Sequence, residues 1–170
     1  MDNIIKVTQT ALNRAVLQYK DLKTHAFLGE CGTTNSKQEG DKKTPLGLFD
    51  LGICFGTHKK EKINKKLMYF EINQTHYWVD DSFSKYYNQL VDTSQTLKDW
   101  NSAEHLLSFK KQYEYAIEII SNPKNIPNKG SAIFLHCSVG RPTSGCISIS
   151  KEDLVHLMNL IDENTKILIQ

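Results

Sequence analysis

The sequence has no long apolar run and no strong excess of charge of either sign. No stretch approaches the roughly 20 apolar residues of a membrane span, so none is predicted. The formal net charge is +2, which gives no case for nucleic acid or an anionic membrane as a partner. The sequence has 170 residues and shows no internal repeat or low-complexity segment. A single domain over residues 1–170 is therefore predicted.

Cysteine is scarce, and its spacing is uninformative. The cysteines are Cys31, Cys54, Cys137 and Cys146. Their spacing demands no disulfide and matches no standard zinc pattern. A metal site formed by Cys137, Cys146 and His136 is one open alternative, although it lacks an evident fourth ligand.

Most of the sequence carries β-type patterning. Strands are predicted over residues 3–8, 11–19, 25–31, 44–51, 67–72, 76–79, 113–120, 132–135, 147–149 and 166–169. The strands 67–72 and 76–79 are predicted to form a hairpin. Helices are predicted over 102–111 and after Ser150, which can cap a helix with Asp153 near the capping-box position. The predicted fold class is mainly β with a few helices.

The most informative stretch is Ser131–Ile149, which reads SAIFLHCSVGRPTSGCISI. An apolar strand delivers His136, and a turn-rich loop leads through Ser144 and Gly145 to Cys146, where a second short strand begins. Strand ends held by a rigid sheet often carry catalytic side chains. A histidine that takes the thiol proton activates the sulfur as a nucleophile. Cys146 and His136 are therefore predicted to be the nucleophile and the general base.

The backbone of the residues before Cys146 is predicted to stabilise the transition state. Gly145 permits close approach of the main chain. Consecutive N–H groups at Ser144, Gly145 and Cys146 are predicted to point at a developing oxyanion, and Thr143 belongs to the same segment.

Three motifs in one order make the sequence recognisable. They are Glu39–Phe49 with its Thr-Pro-Leu-Gly-Leu-Phe core, Trp78–Asp81 with Tyr86–Asn88, and His136 followed by Thr143–Ile147. Together they resemble the L,D-transpeptidases of the YkuD type, over roughly residue 29 to the C-terminus. The resemblance implies a β-sandwich or barrel with a C-terminal helix and strand.

The resemblance also implies a reaction. His136 would deprotonate Cys146, and the thiolate would attack a diamino-acid carbonyl in a peptidoglycan tetrapeptide stem. D-Alanine would leave, and an amine from a second stem would take the acyl group from the thioester. With water as the acceptor, the protein would be an L,D-carboxypeptidase. A backbone carbonyl near Thr143 or Cys137 is expected to orient His136.

The implied partners are peptidoglycan stem peptides, and β-lactams, carbapenems above all, are expected to acylate Cys146. No cofactor or metal is expected, and a monomer is expected. The family implies a cell-envelope location. However, the segment Met1–Lys6 lacks the basic region and apolar core of a signal peptide. The chain as written is thus expected to stay in the cytoplasm unless an export signal was removed or another route exists.

Three residues are candidate substrate contacts. Many family members carry arginine two residues after the cysteine, where this sequence has Ser148. Arg141 is therefore a candidate to supply the positive charge from the loop, with a plain surface role as the alternative. Trp78 and Tyr87 are candidates to line a groove for a flat or extended ligand, with core packing as the alternative for Trp78.

Two further classes of function stay open. The segment from Cys137 to Arg141 resembles the start of a tyrosine-phosphatase loop, but three residues separate the pair where that loop needs five. The other alternative is a non-catalytic cell-wall-binding module that kept the fold.

Overall fold

The computed structural model describes residues 3–170 and is built mainly from strands. The first two residues of the Met1–Lys6 segment lie outside the described residues. The strands before residue 80 are β1 (Ile4–Ala11), β2 (Arg14–Tyr19), β3 (Leu22–Phe27), β4 (Thr33–Thr34), β5 (Thr44–Pro45), β6 (Gly47–Gly56), β7 (Tyr69–Glu71) and β8 (His76–Val79). The later elements are β9 (Leu90–Asp92), β10 (Ala103–His105), β11 (Ala116–Ile119), β12 (Phe134–Cys137), β13 (Ile147–Ile149), α1 (Lys151–Leu160) and β14 (Lys166–Ile169).

The main sheet closes on itself. Its strand order is β11-β12-β13-β3-β2-β1-β14-β6-β7, and β11 also pairs with β6. This extra pairing joins the sheet into a ring, with β7 attached outside it to β6. Closure removes the exposed strand edges that otherwise invite pairing with other chains. The predicted fold class, mainly β with a C-terminal helix and strand in a barrel-like arrangement, is confirmed.

Alternating apolar side chains place the main core inside this ring. In β1, Ile5 and Val7 are fully buried, while Lys6 and Thr8, which alternate with them, are exposed. The two faces of a strand alternate with every residue, so one apolar face per strand supplies the core. Leu154, Leu157 and Met158 of α1 join the same core, which seals it on the helix side.

A second, aromatic core lies on the other face of β12. Phe134 packs edge-on against Phe55 at 5.1 Å and against Trp78 at 4.9 Å between ring centroids. Trp78 belongs to β8, the central strand of a separate sheet ordered β10-β8-β9. Edge-to-face aromatic pairs add to the free energy gained by burying their surface. This small sheet is therefore fixed against the outside of the barrel.

Two predictions about secondary structure are wrong. The segment 102–111 is not a helix but contains β10 followed by a 3₁₀ turn at Leu106–Phe109. The segments 67–72 and 76–79 do not form a hairpin, since β7 pairs with β6 and β8 pairs with β9 and β10. Long-range pairing decides both cases, and local periodicity does not report it.

The strands predicted over 76–79, 147–149 and 166–169 have the predicted bounds, whereas several other elements shift at their ends. A turn at residues 12–13 separates β1 from β2, the third strand covers Leu22–Phe27 where 25–31 was predicted, and a 3₁₀ turn at Gln112–Glu114 shortens the strand predicted over 113–120. Among residues 3–170, no helix has the length and apolar character needed to cross a membrane.

The cap predicted for the C-terminal helix is confirmed. Ser150 Oγ accepts a hydrogen bond from the Asp153 N–H at 3.1 Å and donates one to Asp153 Oδ2 at 2.8 Å. The cap satisfies one of the backbone N–H groups that the first turn leaves unpaired. Ser150 is the single residue between β13 and α1, so the helix begins directly after that strand.

Replacing the cap should weaken the helix. We expect Ser150→Ala to lower the free energy of unfolding by about 1 kcal/mol, because the Asp153 N–H loses its acceptor. Urea unfolding followed by circular dichroism measures the change. Ser150→Thr keeps a hydroxyl and is the matched control. Equal unfolding midpoints for the alanine variant and the wild type would contradict the capping role.

Candidate active site

The pairing of β12 with β13 brings the two predicted catalytic residues together. The strands run parallel, with Leu135 opposite Ile147 and His136 opposite Ser148. Side chains alternate between faces, so Leu135 and Ile147 enter the barrel core while His136 and Ser148 share the outer face. Cys146 precedes Ser148 by two residues and lies diagonal to His136 on that face. Diagonal neighbours on adjacent strands are close enough for long side chains to meet.

One open cavity of about 290 Å³ contains both side chains. It lies between the outer face of the barrel and the turns that follow β10. The cavity is lined by Glu30, Glu104, Phe109, Gln112, Tyr113, His136, Val139, Arg141, Pro142, Thr143, Ser144, Cys146 and Ser148. We call it the site cavity. A segment of an extended ligand can therefore reach the sulfur and the imidazole at the same time.

The Cys146 thiol is held by main-chain groups of β12 and of the segment just before it. Its Sγ donates to the Ala132 carbonyl at 3.2 Å and accepts from the Phe134 N–H at 3.3 Å. Burial raises the pKa of this thiol to about 12, and the carboxyl of Glu104 pushes it further in the same direction. The resting sulfur is thus a neutral thiol at the edge of the cavity.

His136 is fixed as the tautomer that can accept a proton. Its Nδ1 lies 2.9 Å from the Cys137 carbonyl oxygen. A carbonyl only accepts, so Nδ1 carries the hydrogen and Nε2 has a free lone pair. Burial lowers the pKa of His136 to about 4, which keeps the ring neutral at neutral pH. The ring of Tyr113 packs edge-on against it at 5.6 Å between centroids.

The cysteine and the histidine line the same cavity without a hydrogen bond between them. Among the hydrogen bonds of residues 3–170, none joins Cys146 to His136; the sulfur is bonded to the main chain of residues 132 and 134. Catalytic hydrogen bonds are often long in the free protein and form only around a bound substrate.

The loop before Cys146 adopts a conformation that requires glycine. Gly145 has φ +137°, and a Cβ there would lie 3.0 Å from the Lys43 carbonyl oxygen. Its N–H donates to Thr143 Oγ1 at 3.1 Å, and this hydroxyl donates to the Cys146 carbonyl at 2.6 Å. The predicted oxyanion role is therefore corrected for Gly145, because its N–H is already used; the N–H groups of Ser144 and Cys146 remain candidates.

The Thr-Pro motif contacts this loop directly. Thr44 is fully buried, and its Oγ1 accepts from the Gly29 N–H at 2.8 Å while lying 3.4 Å from the Cys146 carbonyl oxygen. Thr143 exchanges main-chain hydrogen bonds with residues 28 and 30. The motif thus braces the loop that carries the cysteine.

A partly buried ion pair lies behind the same loop. The ammonium of Lys37 is bonded to the carboxylate of Asp41, and the two side chains are only 10% and 16% exposed. A Cβ at Gly145 would lie 3.4 Å from Lys37 Nζ. The positive charge of Lys37 lowers the pKa of Cys146 and so partly offsets the effect of burial.

Two of the candidate substrate contacts lie elsewhere. Trp78 and Tyr87 are each 2% exposed and do not line the site cavity. Trp78 Nε1 donates to Asn88 Oδ1 at 3.1 Å, and the Tyr87 hydroxyl donates to Glu39. The groove role predicted for Tyr87 is corrected, since its hydroxyl holds the segment around Glu39. For Trp78 the structure agrees with the alternative of core packing. Arg141 is exposed and lies at the rim of the cavity.

The phosphatase and metal alternatives find no geometric support. Cys137 is 2% exposed on the core face of β12, where its Sγ donates to the Tyr115 carbonyl at 3.6 Å. It cannot act together with Arg141, and it faces away from His136 and Cys146. Within residues 3–170, no three His, Cys, Asp or Glu side chains are arranged to hold a metal ion.

Two groups of the site escape sequence reasoning. Glu104 lines the cavity, and its carboxyl accepts a hydrogen bond from the Tyr113 hydroxyl. Lys37 lies behind the loop as described. A lysine four residues before an aspartate is a weak signal of a pair, and nothing local marks Glu104, because β10 reaches the site only through its pairing with β8.

Fold and site together define a mainly β domain that presents a cysteine and a histidine in one cavity on the outside of a barrel. The chain matches the family model of the YkuD L,D-transpeptidase catalytic domain over residues 3–169. It therefore belongs to that family, and the resemblance inferred from the sequence is confirmed. Searches of curated proteins and of solved structures found no significant match.

The brace from Thr44 can be tested by removing its oxygen. We expect Thr44→Val to lower the free energy of unfolding by about 1–3 kcal/mol, because the buried Gly29 N–H loses its acceptor. The rate at which iodoacetamide labels Cys146 should also differ from that of the wild type, because the loop that carries the cysteine loses its brace. Urea unfolding and intact mass measure the two effects. Thr44→Ser keeps the hydroxyl; if it behaves like the valine variant, the hydrogen bond does not matter.

Neutral His136 should make stability depend on pH. The unfolded chain has an ordinary histidine pKa near 6.5 and binds the proton more readily than the folded chain, where the pKa is about 4. The stability associated with neutral His136 is fully present above pH 6.5 and is lost as the pH falls toward 4. We expect the wild type to lose about 2 kcal/mol more than His136→Gln between pH 7.5 and pH 5. Urea unfolding at each pH measures the free energy of unfolding of both proteins. The same dependence on pH in the wild type and in His136→Gln would contradict a neutral, buried His136.

Proposed function

We propose that this protein is a cysteine-dependent L,D-transpeptidase acting on peptidoglycan stem peptides. Its family consists of L,D-transpeptidase catalytic domains. The observation that carries the specific proposal is the common cavity of Cys146 and His136, with the imidazole held as a proton acceptor by the Cys137 carbonyl. We also propose a location in the cell envelope, because that is where peptidoglycan lies; this part of the proposal rests on family membership alone.

In the first half-reaction, His136 Nε2 takes the thiol proton while Cys146 Sγ attacks the carbonyl of the diamino-acid residue. Both resting groups are neutral: burial keeps the thiol pKa high and the imidazole pKa low. Separating charge before the attack would be costly in this poorly solvated place. Proton transfer and attack therefore occur together. The imidazolium then protonates the departing D-alanine, and a thioester on Cys146 remains.

The oxyanion formed in this attack needs nearby donors. The N–H groups of Ser144 and Cys146, on either side of the bend at Gly145, are the proposed donors. Lys37 places a positive charge behind the loop, and this charge stabilises negative charge at the sulfur. Arg141 at the cavity rim is proposed to attract a carboxylate of the stem peptide.

The second half-reaction decides the class of product. An amine from another stem gives a cross-link, whereas water gives L,D-carboxypeptidase activity from the same thioester. Both outcomes use Cys146 and His136 in the same roles.

The nucleophile can be identified by acylation. We expect a carbapenem to add its full mass to the wild type, because the strained lactam carbonyl mimics the stem carbonyl, and to leave Cys146→Ala unmodified. His136→Gln should slow acylation by about 100-fold or more, as the loss of a general base does. Intact mass spectrometry over time follows both.

Cys31→Ala is the matched control, since Cys31 is the exposed thiol and its removal should change nothing. An adduct that persists on Cys146→Ala would move the nucleophile to another residue. No adduct on the wild type would favour a binding module.

A further inference from the structure

One carboxyl group in the site cavity takes no part in the proton transfers and bond changes of the first half-reaction. Glu104 is the central residue of β10, where its backbone pairs with Trp78 of β8. Its side chain lines the cavity together with Cys146 and His136. Oε1 accepts the hydrogen bond from the Tyr113 hydroxyl. Oε2 has no hydrogen-bond partner among residues 3–170, so one oxygen is available to a ligand.

A second polar atom of the cavity also lacks a partner. Ser148 is 1% exposed and lies opposite His136 in the parallel ladder. Its Oγ is buried and makes no hydrogen bond with any described residue. An unsatisfied buried hydroxyl costs free energy, and natural proteins contain few of them. This hydroxyl and the free oxygen of Glu104 both lie in the cavity that contains the thiol.

The charges around Glu104 favour a cationic ligand. The titratable and charged groups lining the cavity are Glu30, Glu104, Tyr113, His136, Arg141 and Cys146. Glu30 is paired with Lys42 at 2.6 Å, and Arg141 is exposed at the rim. Lys37 acts on Cys146 from behind the loop, and Asp80 adds negative charge near Glu104. Within residues 3–170, Glu104 itself has no ion pair.

The acidity of Glu104 suits exchange of a proton at neutral pH. Burial raises the pKa of this carboxyl to about 7, the Tyr113 hydrogen bond opposes the rise, and Asp80 adds to it. A group whose pKa lies near the working pH can both take up and release a proton. His136, with a pKa of about 4, cannot hold a proton under the same conditions without a partner.

We propose that Glu104 and Ser148 form the subsite for the amine that takes the acyl group from Cys146. The inference rests on the proposed function and extends it to the acceptor, which must be a primary amine that arrives as an ammonium ion. Glu104 Oε2 receives this ammonium, and Ser148 Oγ accepts a further N–H. The subsite favours transfer to an amine over hydrolysis.

The protons and bonds of this step balance. The ammonium gives one proton to Glu104 and becomes a neutral amine. The amine nitrogen then attacks the thioester carbonyl, forming the C–N bond, and gives its second proton to His136. The C–S bond breaks, and the proton on His136 passes to the Cys146 sulfur. Glu104 finally releases its proton to water, so the net products are the amide, the free thiol and one proton.

The competing explanation is that Glu104 only positions its neighbours. It holds the Tyr113 hydroxyl, and the Tyr113 ring packs against His136. A purely positioning role would slow acylation of Cys146, since His136 acts in that step. A role toward the amine would leave acylation intact and change only the fate of the thioester. The two roles are therefore separable by experiment.

The test measures how one acyl-enzyme divides between amine and water. A tetrapeptide stem is the donor, Nα-acetyl-lysine amide is the amine, and mass spectrometry resolves the transfer product from the hydrolysis product. We expect Glu104→Gln to lower the ratio of transfer to hydrolysis about 100-fold at pH 7, as for other general bases. Ser148→Ala should lower it less. In the wild type the ratio should rise through about pH 7, and Glu104→Gln should lack this rise.

Glu71→Gln is the matched control, because Glu71 is an exposed carboxyl that does not line the site cavity; its ratio should equal that of the wild type. Carbapenem acylation of Glu104→Gln should stay within about twofold of the wild-type rate, far from the 10²-fold loss of an acylation base. An unchanged transfer ratio in Glu104→Gln, or acylation that falls in parallel with transfer, would overturn the proposal.

Binding of the amine can be measured without catalysis. In NMR titrations of the free protein, Nα-acetyl-lysine amide should shift the Ser148 amide resonance, and the uncharged Nα-acetyl-norleucine amide should not. Glu104→Gln should abolish the difference. Equal binding of the two probes would overturn the amine subsite. A wild type that binds the amine but forms no carbapenem adduct would instead sink the proposed function, so the two failures are distinguishable.

Discussion

The parallel pairing of β12 with β13 is the constraint on which the site depends. In this register, Leu135, Cys137, Ile147 and Ile149 all face the barrel core, and the residues between them face the cavity. A slip of one residue would turn every side chain of a strand to the opposite face. The slip would bury the thiol in the core and expose apolar side chains. Core packing therefore maintains the arrangement of the cysteine and the histidine.

The same packing sets the electrical character of the site. The sulfur and the imidazole lie where water is largely excluded, so their pKa values are pushed in opposite directions, away from a resting ion pair. A thiol of this kind is protected from adventitious oxidation, because only the thiolate reacts readily. The thiol becomes reactive only when a bound substrate places its carbonyl beside the sulfur while His136 accepts the proton.

Sequence reasoning predicted the features whose signals are local. Alternation located β1, the Ser150 cap marked the start of α1, and three motifs in order identified the family. It failed where distant pairing decides the structure: residues 102–111 have helix-like composition but form a strand because they pair with β8. The same pairing brings Glu104 into the cavity, which no pattern near residue 104 could reveal. The sequence could not decide between a groove and the core for Trp78 and wrongly favoured a groove for Tyr87, because burial of a large ring depends on the whole fold.

The position of β14 in the ring has a consequence for how the chain reaches this state. Lys166–Ile169 lies between β1 and β6, parallel to the first and antiparallel to the second. During synthesis the barrel stays open until these residues have left the ribosome, and until then β1 and β6 each present an unpaired edge. Contacts between such distant parts of a chain slow folding. Nascent chains stalled before residue 166 should accordingly be the ones most in need of chaperones.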